Sequence, residues 1–582
     1  MRRLRALRAV ASAERGAALV MTLLVLVILT AFGLTLVGLG MTEVSISSNW
    51  RDYSKDFYAA EATLENGVVG LKTLLEANPT PTQAQLNGIA APTLTDPKLT
   101  FGAYSISSPN PAYTTTFPSG HVYEGLTGIV TGYQIRAQVN GQGGTRADLT
   151  QVFQYTEVPL FQFGVFYGKG VDLEIAPGPD MTFNGRVHAN SDIYVGSGNK
   201  LTFDSYITTA GGIYRTLKRE NPGPYPPASY SPWSNDPKIK RASGGYQDLN
   251  FDSKYQPGFS STWASPQDWA AHANSTFGGT VKDGAMGVTE ITPPINSLFQ
   301  DQSTPDVVAH KMIELPQGGD SAALASAKLY SKAGLRIVDG VATDQNGNSV
   351  TLPSGALETR TFFDPREQKT MTVVDVDVDK IRGAGKFPSN GVVYIAGTNL
   401  ASNPAVRLVK GTQLPSQGLT VVSQNPVYVK GDYNKLQKVP AAILADAITV
   451  LSEDWDDSKG NMALSERKAK RTEVNAAFAL GPGAESAQNQ GNGQLENAIR
   501  FLENWGSSAG NDELDGKPGK TFKYSGSIIA LWHSLQANSQ WACCGYYSPP
   551  RRDWSYDTMF STTPPPGTPR GIIMMKGRWS QQ

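Results

Sequence analysis

The hydrophobic pattern of the first 78 residues predicts one continuous helix that starts in a membrane. An uncharged, largely apolar run extends from Ala17 to Thr42, 26 residues in all. At about 1.5 Å per residue, such a helix reaches about 39 Å, enough to cross a hydrocarbon core of about 30 Å. Further apolar residues recur at the three- and four-residue steps of one helix face: Tyr53, Phe57, Ala60, Leu64, Val68, Leu71 and Leu75. We therefore expect a transmembrane helix at 17–42 and an amphipathic spine helix at 43–78.

Alternating apolar and polar residues then predict a β-hairpin that packs on the spine helix. The apolar residues on the two sides of the turn sequence NGQGG are Tyr133, Ile135, Ala137 and Val139, then Leu149, Val152, Phe153 and Tyr155. Seven prolines between positions 79 and 118 bar long helices there. We assign residues 79–160 to a linker and this hairpin module, and expect the hairpin to cover the Phe57–Leu75 face of the spine.

Short apolar stretches separated by Asn, Gly and Asp corners predict rungs of a parallel β-helix from Val171 onward. Their apolar residues are Leu173, Ile175, Met181, Phe183, Val187, Ile193, Val195, Leu201, Phe203, Ile207 and Ile213. In a β-helix each coil buries its face on the next one. A meander or a sandwich fits the same pattern, but no alternating strand is long enough for a good sandwich. We assign residues 161–215 to β-helix-like rungs.

The rest of the chain divides into an insertion and a second run of rungs. Residues 216–384 begin with polar, aromatic and proline-rich sequence typical of a surface segment. They continue with a short helix, capped by Ser321 and ended by Gly334, and with strand-like sequence. Residues 385–582 resume the rung pattern and end in an aromatic-rich cap. The aromatic residues of this cap either hold it together or, if exposed, bind sugars or proteins. They are Trp505, Trp532, Trp541, Tyr546, Tyr547, Trp554 and Tyr556.

Composition agrees with an α+β chain of several domains. The 582 residues predict three or four domains, and 59 glycines, 37 prolines and 18% charged residues suit a loop-rich β protein. The segment before Gly16 carries five arginines and one glutamate, which places it in the cytoplasm and the residues beyond Thr42 in the periplasm. The remainder has 46 basic and 50 acidic residues, so the chain lacks the basic stripe of a nucleic-acid-binding protein.

The N-terminal sequence resembles that of PilX-type minor pilins. The resemblance rests on the basic leader, on Gly16, on the run RGAALVMTLLVLVILT and on FYAAEATLE. It implies cleavage by a prepilin peptidase after Gly16, which leaves Ala17 as the first mature residue, and a spine helix beside a pilin-like small antiparallel sheet. Short motifs in 161–215 and 320–569 are also similar to the long ectodomains behind such N-termini in some Gram-negative bacteria. An uncleaved signal anchor is the alternative.

The resemblance also implies a function and partners. A minor-pilin-like subunit primes pilus assembly, adheres to surfaces, or does both, at or near the tip of a type IV pilus. It sits in the inner membrane as a single-pass protein before it reaches the periplasm and the surface pilus. Its partners are the prepilin peptidase, other major and minor pilins, the assembly platform and inner-membrane lipid. Major pilins carry a glutamate at the fifth mature residue, where this chain has Met21. A pseudopilin of a type II secretion system shares the same N-terminal pattern and stays an alternative.

Candidate chemistry is sparse, and we expect no catalytic residue and no bound cofactor. The five histidines are scattered and form no zinc motif. The adjacent Cys543 and Cys544 leave open a strained ring, a bond to another subunit, or reduced thiols. The competing class is a membrane-tethered β-helix carbohydrate-active enzyme, in which paired carboxylates such as Asp454 and Asp457 serve.

Two acidic clusters are the weak candidates for Ca²⁺. In VVDVDVDK the aspartates alternate with valines, so they should point to one side of a strand. In SEDWDD they surround Trp455 at a turn. Such clusters form a solvated face or a charged turn, or they hold Ca²⁺ through hard oxygen ligands. The candidate ligands are Asp375, Asp377 and Asp379 in the first cluster and Asp454, Asp456 and Asp457 in the second.

Overall fold

A computed structural model describes residues 2–78, 80–215, 235–249, 265–293, 295–296, 303–484, 491–539 and 545–581. Side chains of the spine helix are described from residue 17 onward. The spine helix is a single element, Arg2–Ala77. The predicted continuity of the transmembrane and spine segments is therefore confirmed.

A small antiparallel sheet, here the anchor sheet, packs on the outer half of the spine helix. Its strands, in spatial order, are Thr100–Ser107, Thr127–Asn140, Arg146–Pro159 and Arg570–Gln581. A fifth, short strand, Tyr113–Thr116, pairs with Thr127–Asn140. The predicted hairpin is present, with Tyr133 opposite Phe153 and Ala137 opposite Leu149. These residues share one core with the buried face of the helix, formed by Ala60, Leu64, Val68, Leu71 and Leu75. The expected packing of the hairpin on the spine is confirmed.

The last strand of the anchor sheet comes from the far end of the chain. Arg570–Gln581 pairs antiparallel with Arg146–Pro159. This corrects our assignment of these residues to the aromatic-rich cap. Their sequence, RGIIMMKGRWSQ, has too irregular an alternation to show which strand they join. The other segment boundaries stay predictions.

The described parts of residues 165–556 form a three-faced solenoid of stacked coils. Its long face is a sheet of eleven strands in the order Val281–Lys282, Ile207–Thr209, Val187–Ala189, Val165–Tyr167, Ile528–Ala530, Ala477–Ala479, Ala441–Ala445, Leu419–Ser423, Val392–Ala396, Leu335–Val338 and Val341–Asp344. All neighbours are parallel except the last pair. The predicted parallel β-helix character is confirmed.

Four smaller sheets make the other two faces. On the second face lie Leu357–Asp364, Lys369–Asp377, Pro404–Val409, Val427–Lys430, Ile448–Leu451 and Ile499–Phe501, and separately Leu173–Ile175, Ile193–Val195 and Ile213–Tyr214. On the third face lie Thr472–Asn475, Thr521–Gly526 and Arg551–Tyr556, and separately Met181–Phe183, Leu201–Phe203, Lys238–Lys240 and Tyr246–Asp248. One apolar cluster fills the space between the faces, so each coil buries its inner side chains on its neighbours.

The coils do not stack in chain order. In the long face, the first strand along the chain, Val165–Tyr167, pairs with the last one, Ile528–Ala530. The chain therefore enters and leaves the solenoid at the same place in the stack, next to the anchor sheet. Since Arg146–Pro159 and Arg570–Gln581 are neighbours in that sheet, the whole solenoid is an insertion between two adjacent strands.

The insertion at 216–384 is not only a surface segment. Helix Pro266–Phe277, with Ser265 as its N-cap, contributes Trp269 and Phe277 to the inner core. Residues 288–333, which we name the strap, then return along the outside of the long face. In its described parts Ile291, Ile313 and Leu329 join outward-facing residues of that sheet such as Tyr394 and Leu444. The strap helps to explain why the eight central strands of the long face, from Ile207–Thr209 to Val392–Ala396 in the sheet order, are buried at every position.

The predicted helix after Ser321 is present but divided. Ser321 accepts a hydrogen bond from the Leu324 amide and caps Ala322–Ala327, as expected. A second short helix, Leu329–Lys332, follows an extended residue, Lys328. The ammonium group of Lys328 is buried and bonds to Asp320 and to the Leu315 carbonyl, at 2.7 and 2.8 Å. The break in the helix thus coincides with the residue whose charge is buried between these partners.

Candidate functional site

The membrane half of the spine helix presents its apolar side chains to the outside. Its most apolar 18-residue window has a mean hydropathy of 2.7, and none of that window is buried inside the protein. Leu19, Met21 and Leu23 are 65–73% exposed. An apolar surface this large marks a site of membrane or protein contact. Length and composition are sufficient for a membrane span.

Threonine hydroxyls within this half are satisfied by the helix itself. Thr22, Thr35 and Thr42 each donate to the carbonyl four residues earlier, at 3.0, 2.8 and 2.8 Å. A hydroxyl without a partner is unfavourable in hydrocarbon. These polar residues therefore do not interrupt the span.

The processing residues lie at the inner end of this span. Gly16 and Ala17 are inside the helix Arg2–Ala77, and cleavage between them stays a prediction. Met21, the fifth residue after that position, is 73% exposed, and the first acidic residue beyond it is Glu43. The span therefore offers no carboxylate to a neighbouring subunit's terminal amine.

A charged cleft of about 630 Å³ opens on the second face of the solenoid. At its floor lies Arg407, only 3% exposed by its side chain. The Arg407 Nε and Nη2 atoms donate to Asp375 at 2.7 and 2.9 Å, and Nη1 and Nη2 donate to Asp457 at 2.5 and 3.0 Å. One residue from each acidic cluster thus converges on the same guanidinium.

Arg407 also sets the charge of the cleft floor. Burial raises the pKa of Asp457, but hydrogen bonds and the charge of Arg407 outweigh burial and hold that pKa below its usual value. The Trp455 Nε1 atom donates to the same carboxylate at 2.9 Å. Asp457 is therefore an ionised structural partner of Arg407, which leaves it poorly placed to act as half of a catalytic pair.

Local structure gives the remaining calcium candidates other partners, although Asp377 and Asp456 line the same cleft. Asp377 ends its strand and caps helix Val378–Gly383, so Asp379 lies on that helix and not on the strand. This corrects the expected row of three aspartates. Asp377 also pairs with Lys410 at 2.8 Å. Asp456 caps the short 3₁₀ turn Asp457–Lys459, and Asp454 is more than half exposed, 3.8 Å from Lys470.

These contacts favour ion pairs and caps over a Ca²⁺ site at the two clusters. Within the parts of the chain that the structure describes, no three or more His, Cys, Asp or Glu side chains are arranged to hold a metal ion. A bound Ca²⁺ would compete with Arg407 for two of the six carboxylates. Ca²⁺ binding by these clusters has no geometric support here.

Two histidine–carboxylate contacts, which the sequence did not reveal, hold the strap to the solenoid. His310 lies between Asp446 and Glu314, at 3.2 and 2.8 Å, and His533 contacts Asp306 at 2.9 Å. Asp446 is fully buried and also accepts from the Ser534 hydroxyl and the Leu535 amide. His310 and Asp446 are 136 residues apart, so only the folded coil order brings them together.

The His310 contact predicts a pH dependence of stability. Burial lowers the pKa of His310, but Asp446 and Glu314 outweigh it and raise that pKa, whereas His310 lowers the pKa of both acids. A raised histidine pKa stabilises the fold fully below about pH 6.5 and less as the pH rises through the folded value. Lowered acid pKa values stabilise it above about pH 4.5 and less as the pH falls.

We therefore expect His310→Gln to be most destabilising between about pH 4.5 and 6.5. The loss in free energy of unfolding should be smaller at pH 8.5 than at pH 6, because the raised pKa of His310 stabilises the fold less as the imidazolium loses its proton. The charges of Lys311 and Lys328 also lower the pKa of Glu314. Urea unfolding of both proteins at a series of pH values measures this, and a loss that does not vary with pH contradicts it.

Most of the late aromatic residues are buried and support the cap interpretation. Trp505 and Trp532 are fully buried, and Tyr546 and Tyr547 are 6–7% exposed. Trp554 and Tyr556 are partly buried. Trp541, Cys543 and Cys544 lie outside the described residues.

Comparison with known proteins finds a similarity in the N-terminal segment. Residues 15–65 match the sequence model described as PilX N-terminal. Among solved structures, the competence-associated pilin ComZ from Thermus thermophilus aligns with 91% of this chain and 98% of its own, at 11% identity and a TM-score of 0.27. That score does not establish a common fold. No curated protein matches the chain by sequence.

Proposed function

We propose that the chain is a minor-pilin-like subunit of a type IV pilus, cleaved after Gly16 and placed at or near the pilus tip. There the solenoid serves priming of assembly, surface adhesion, or both. The observation that carries this proposal is the insertion of the solenoid between two strands of a sheet whose spine helix leaves its apolar half uncovered. The helix supplies the means of assembly, and the solenoid supplies a surface.

Size supports the terminal position. The segment between Pro159 and Arg570 is more than two thirds of the chain and branches from one edge of the anchor sheet. A filament shaft repeats small subunits closely, so such an insertion in every subunit would crowd it. At the tip the solenoid projects freely.

The missing carboxylate supports the same position. A buried terminal amine without a counter-charge is costly in an apolar environment. With Met21 at the fifth mature position, this subunit cannot neutralise the amine of a neighbour. The end of the filament, where no earlier subunit requires that contact, is the position with the smallest energetic cost.

Processing gives the direct test of this proposal. Replacing Gly16 by lysine should leave the leader of 16 residues attached and exclude the protein from sheared pili, because the charged leader cannot leave the cytoplasmic side. Intact mass of the membrane-extracted protein and immunoblots of sheared pili measure the two effects.

Gly33→Val is the matched control for Gly16→Lys. Gly33 lies in the same helix, and a Cβ there meets nothing within 4 Å, so the variant should be processed and assembled normally. Retention of Met1 in the unaltered protein, in cells with an active prepilin peptidase, would contradict the proposal.

A further inference from the structure

A buried carboxylate without a partner lies where the spine helix leaves the anchor sheet. Asp56 is 1% exposed, and neither of its oxygens has a hydrogen-bond partner. It is one turn before Ala60 on the buried face of the helix. Tyr53 and Phe57 on the same stretch contact Gln581 and Trp579 at the end of the chain. Asp56 therefore sits at the membrane-proximal end of the folded ectodomain.

The hairpin turn has a glycine, Gly141, directly beside this carboxylate. A Cβ on Gly141 would lie 2.3 and 2.6 Å from the two Asp56 oxygens and 2.6 Å from Thr145 Oγ1. The backbone of Gly141, with φ −101° and ψ −176°, suits any residue, so only space requires glycine there. Three side-chain oxygens, two from Asp56 and one from Thr145, thus surround the space that a side chain at position 141 would fill.

The converging oxygens present lone pairs. Thr145 donates its hydroxyl proton to the Gln142 carbonyl at 3.2 Å, which leaves its oxygen lone pairs for another partner. A carboxylate oxygen accepts hydrogen bonds, and neither Asp56 oxygen receives one from the described residues. The ion pairs of the described residues do not include Asp56, and a buried charge without compensation is strongly unfavourable.

We propose that Asp56, Thr145 and the turn 141–145 bind a hard divalent cation, Ca²⁺. Ca²⁺ takes carboxylate, hydroxyl and carbonyl oxygens at about 2.3–2.6 Å and supplies the missing charge. A water molecule could serve two oxygens but would leave the charge uncompensated. With one carboxylate, the site should resemble weak extracellular sites, with a Kd on the order of 10⁻⁴–10⁻³ M.

The bound cation would clamp the hairpin turn to the spine helix only outside the cytoplasm, where Ca²⁺ reaches such concentrations. The site involves the helix and the anchor sheet alone. It is therefore independent of the proposed position of the subunit in a pilus.

The test uses the full chain in detergent micelles, after chelation, with Ca²⁺ added to about 10 mM, some tenfold above the expected Kd. Equilibrium dialysis with radioactive Ca²⁺ should show one ion per chain in the unaltered protein and none in Asp56→Asn or Gly141→Ala. Asp454→Asn should keep the ion, because Asp454 lies beside Lys470 in the solenoid and is not part of the proposed site.

Melting temperatures separate a cation from a structural water. In chelator, Asp56→Asn should melt at or above the temperature of the unaltered protein, because it removes a buried uncompensated charge. Added Ca²⁺ should raise the melting temperature of the unaltered protein only. The proposal is overturned by the absence of Ca²⁺ binding, by equal binding in Asp56→Asn, or by an Asp56→Asn protein that melts lower than the unaltered one in chelator.

Discussion

Deleting residues 570–582 is expected to unfold the anchor sheet while the solenoid stays folded. The strand Arg570–Gln581 forms ten residue pairs with Arg146–Pro159. It also places Ile573, 5% exposed, in the core between the anchor sheet and the strap. Its removal exposes a long strand edge and an apolar core together, so the effect should far exceed the roughly 1–3 kcal/mol of a typical substitution.

Hydrogen–deuterium exchange measures this effect segment by segment. In the deletion, amides of Thr127–Asn140 and Arg146–Pro159 should lose protection, whereas those of the long face should keep it. The matched control deletes only residues 579–582, of which 579–581 are exposed. It should change exchange only near Leu149–Gln151 and near Tyr53 and Phe57, which contact Gln581 and Trp579. Unchanged protection of Arg146–Pro159 after the full deletion would refute the role of this strand.

Arg407→Met is expected to destabilise the solenoid by about 3–5 kcal/mol. The substitution keeps much of the side-chain volume but leaves Asp375 and Asp457, 12% and 26% exposed, without their shared cation. Breaking a buried ion network from one side is unfavourable because the remaining charges are still desolvated. Urea unfolding measures the change.

Arg360→Met is the matched control for Arg407→Met. Arg360 also contacts Asp375, at 3.2 Å, but its side chain is 52% exposed, so its loss should cost less than about 1 kcal/mol. Adding Asp375→Asn and Asp457→Asn to Arg407→Met should recover much of the stability, because no unpaired charge remains. Equal effects of the two arginine variants would show that the network does not stabilise the fold.

The sequence could predict the helix, hairpin and coil strands that are determined by residues close together in the chain. The uncharged run at 17–42 and the helical spacing from Tyr53 to Leu75 depend on neighbouring residues along one helix, and the structure has that helix as a single element. The alternation around NGQGG likewise predicts a hairpin, because its two strands are adjacent in the chain. Repeated short strands with glycine and asparagine corners indicated coils.

Long-range placement could not be predicted from the same signals. Val165–Tyr167 pairs with Ile528–Ala530, and nothing in either three-residue strand identifies the other. The strap was expected at the surface because the insertion that contains it, residues 216–384, begins with polar, proline-rich sequence, and this beginning hides the apolar residues that follow. Asp377 looked like one of three aligned aspartates because aspartates and valines alternate in this part of the sequence. That alternation does not show that the strand ends at Asp377, which caps the following helix.

The candidate site was predictable only in part for a related reason. The apolar span and position 21 follow directly from the sequence, whereas the pairing of Asp375 and Asp457 through Arg407 joins residues up to 82 positions apart. The acidic clusters were visible in the sequence, but the cation that they share was not.

Immunogold labelling of the solenoid on intact pili tests the central claim most directly. We expect gold at one end of each filament and an abundance far below that of the major pilin, because a subunit with Met21 at the fifth mature position and a large insertion fits poorly in the shaft. Labelling along the whole length of the filament, or an abundance close to that of the major pilin, would contradict the proposed position.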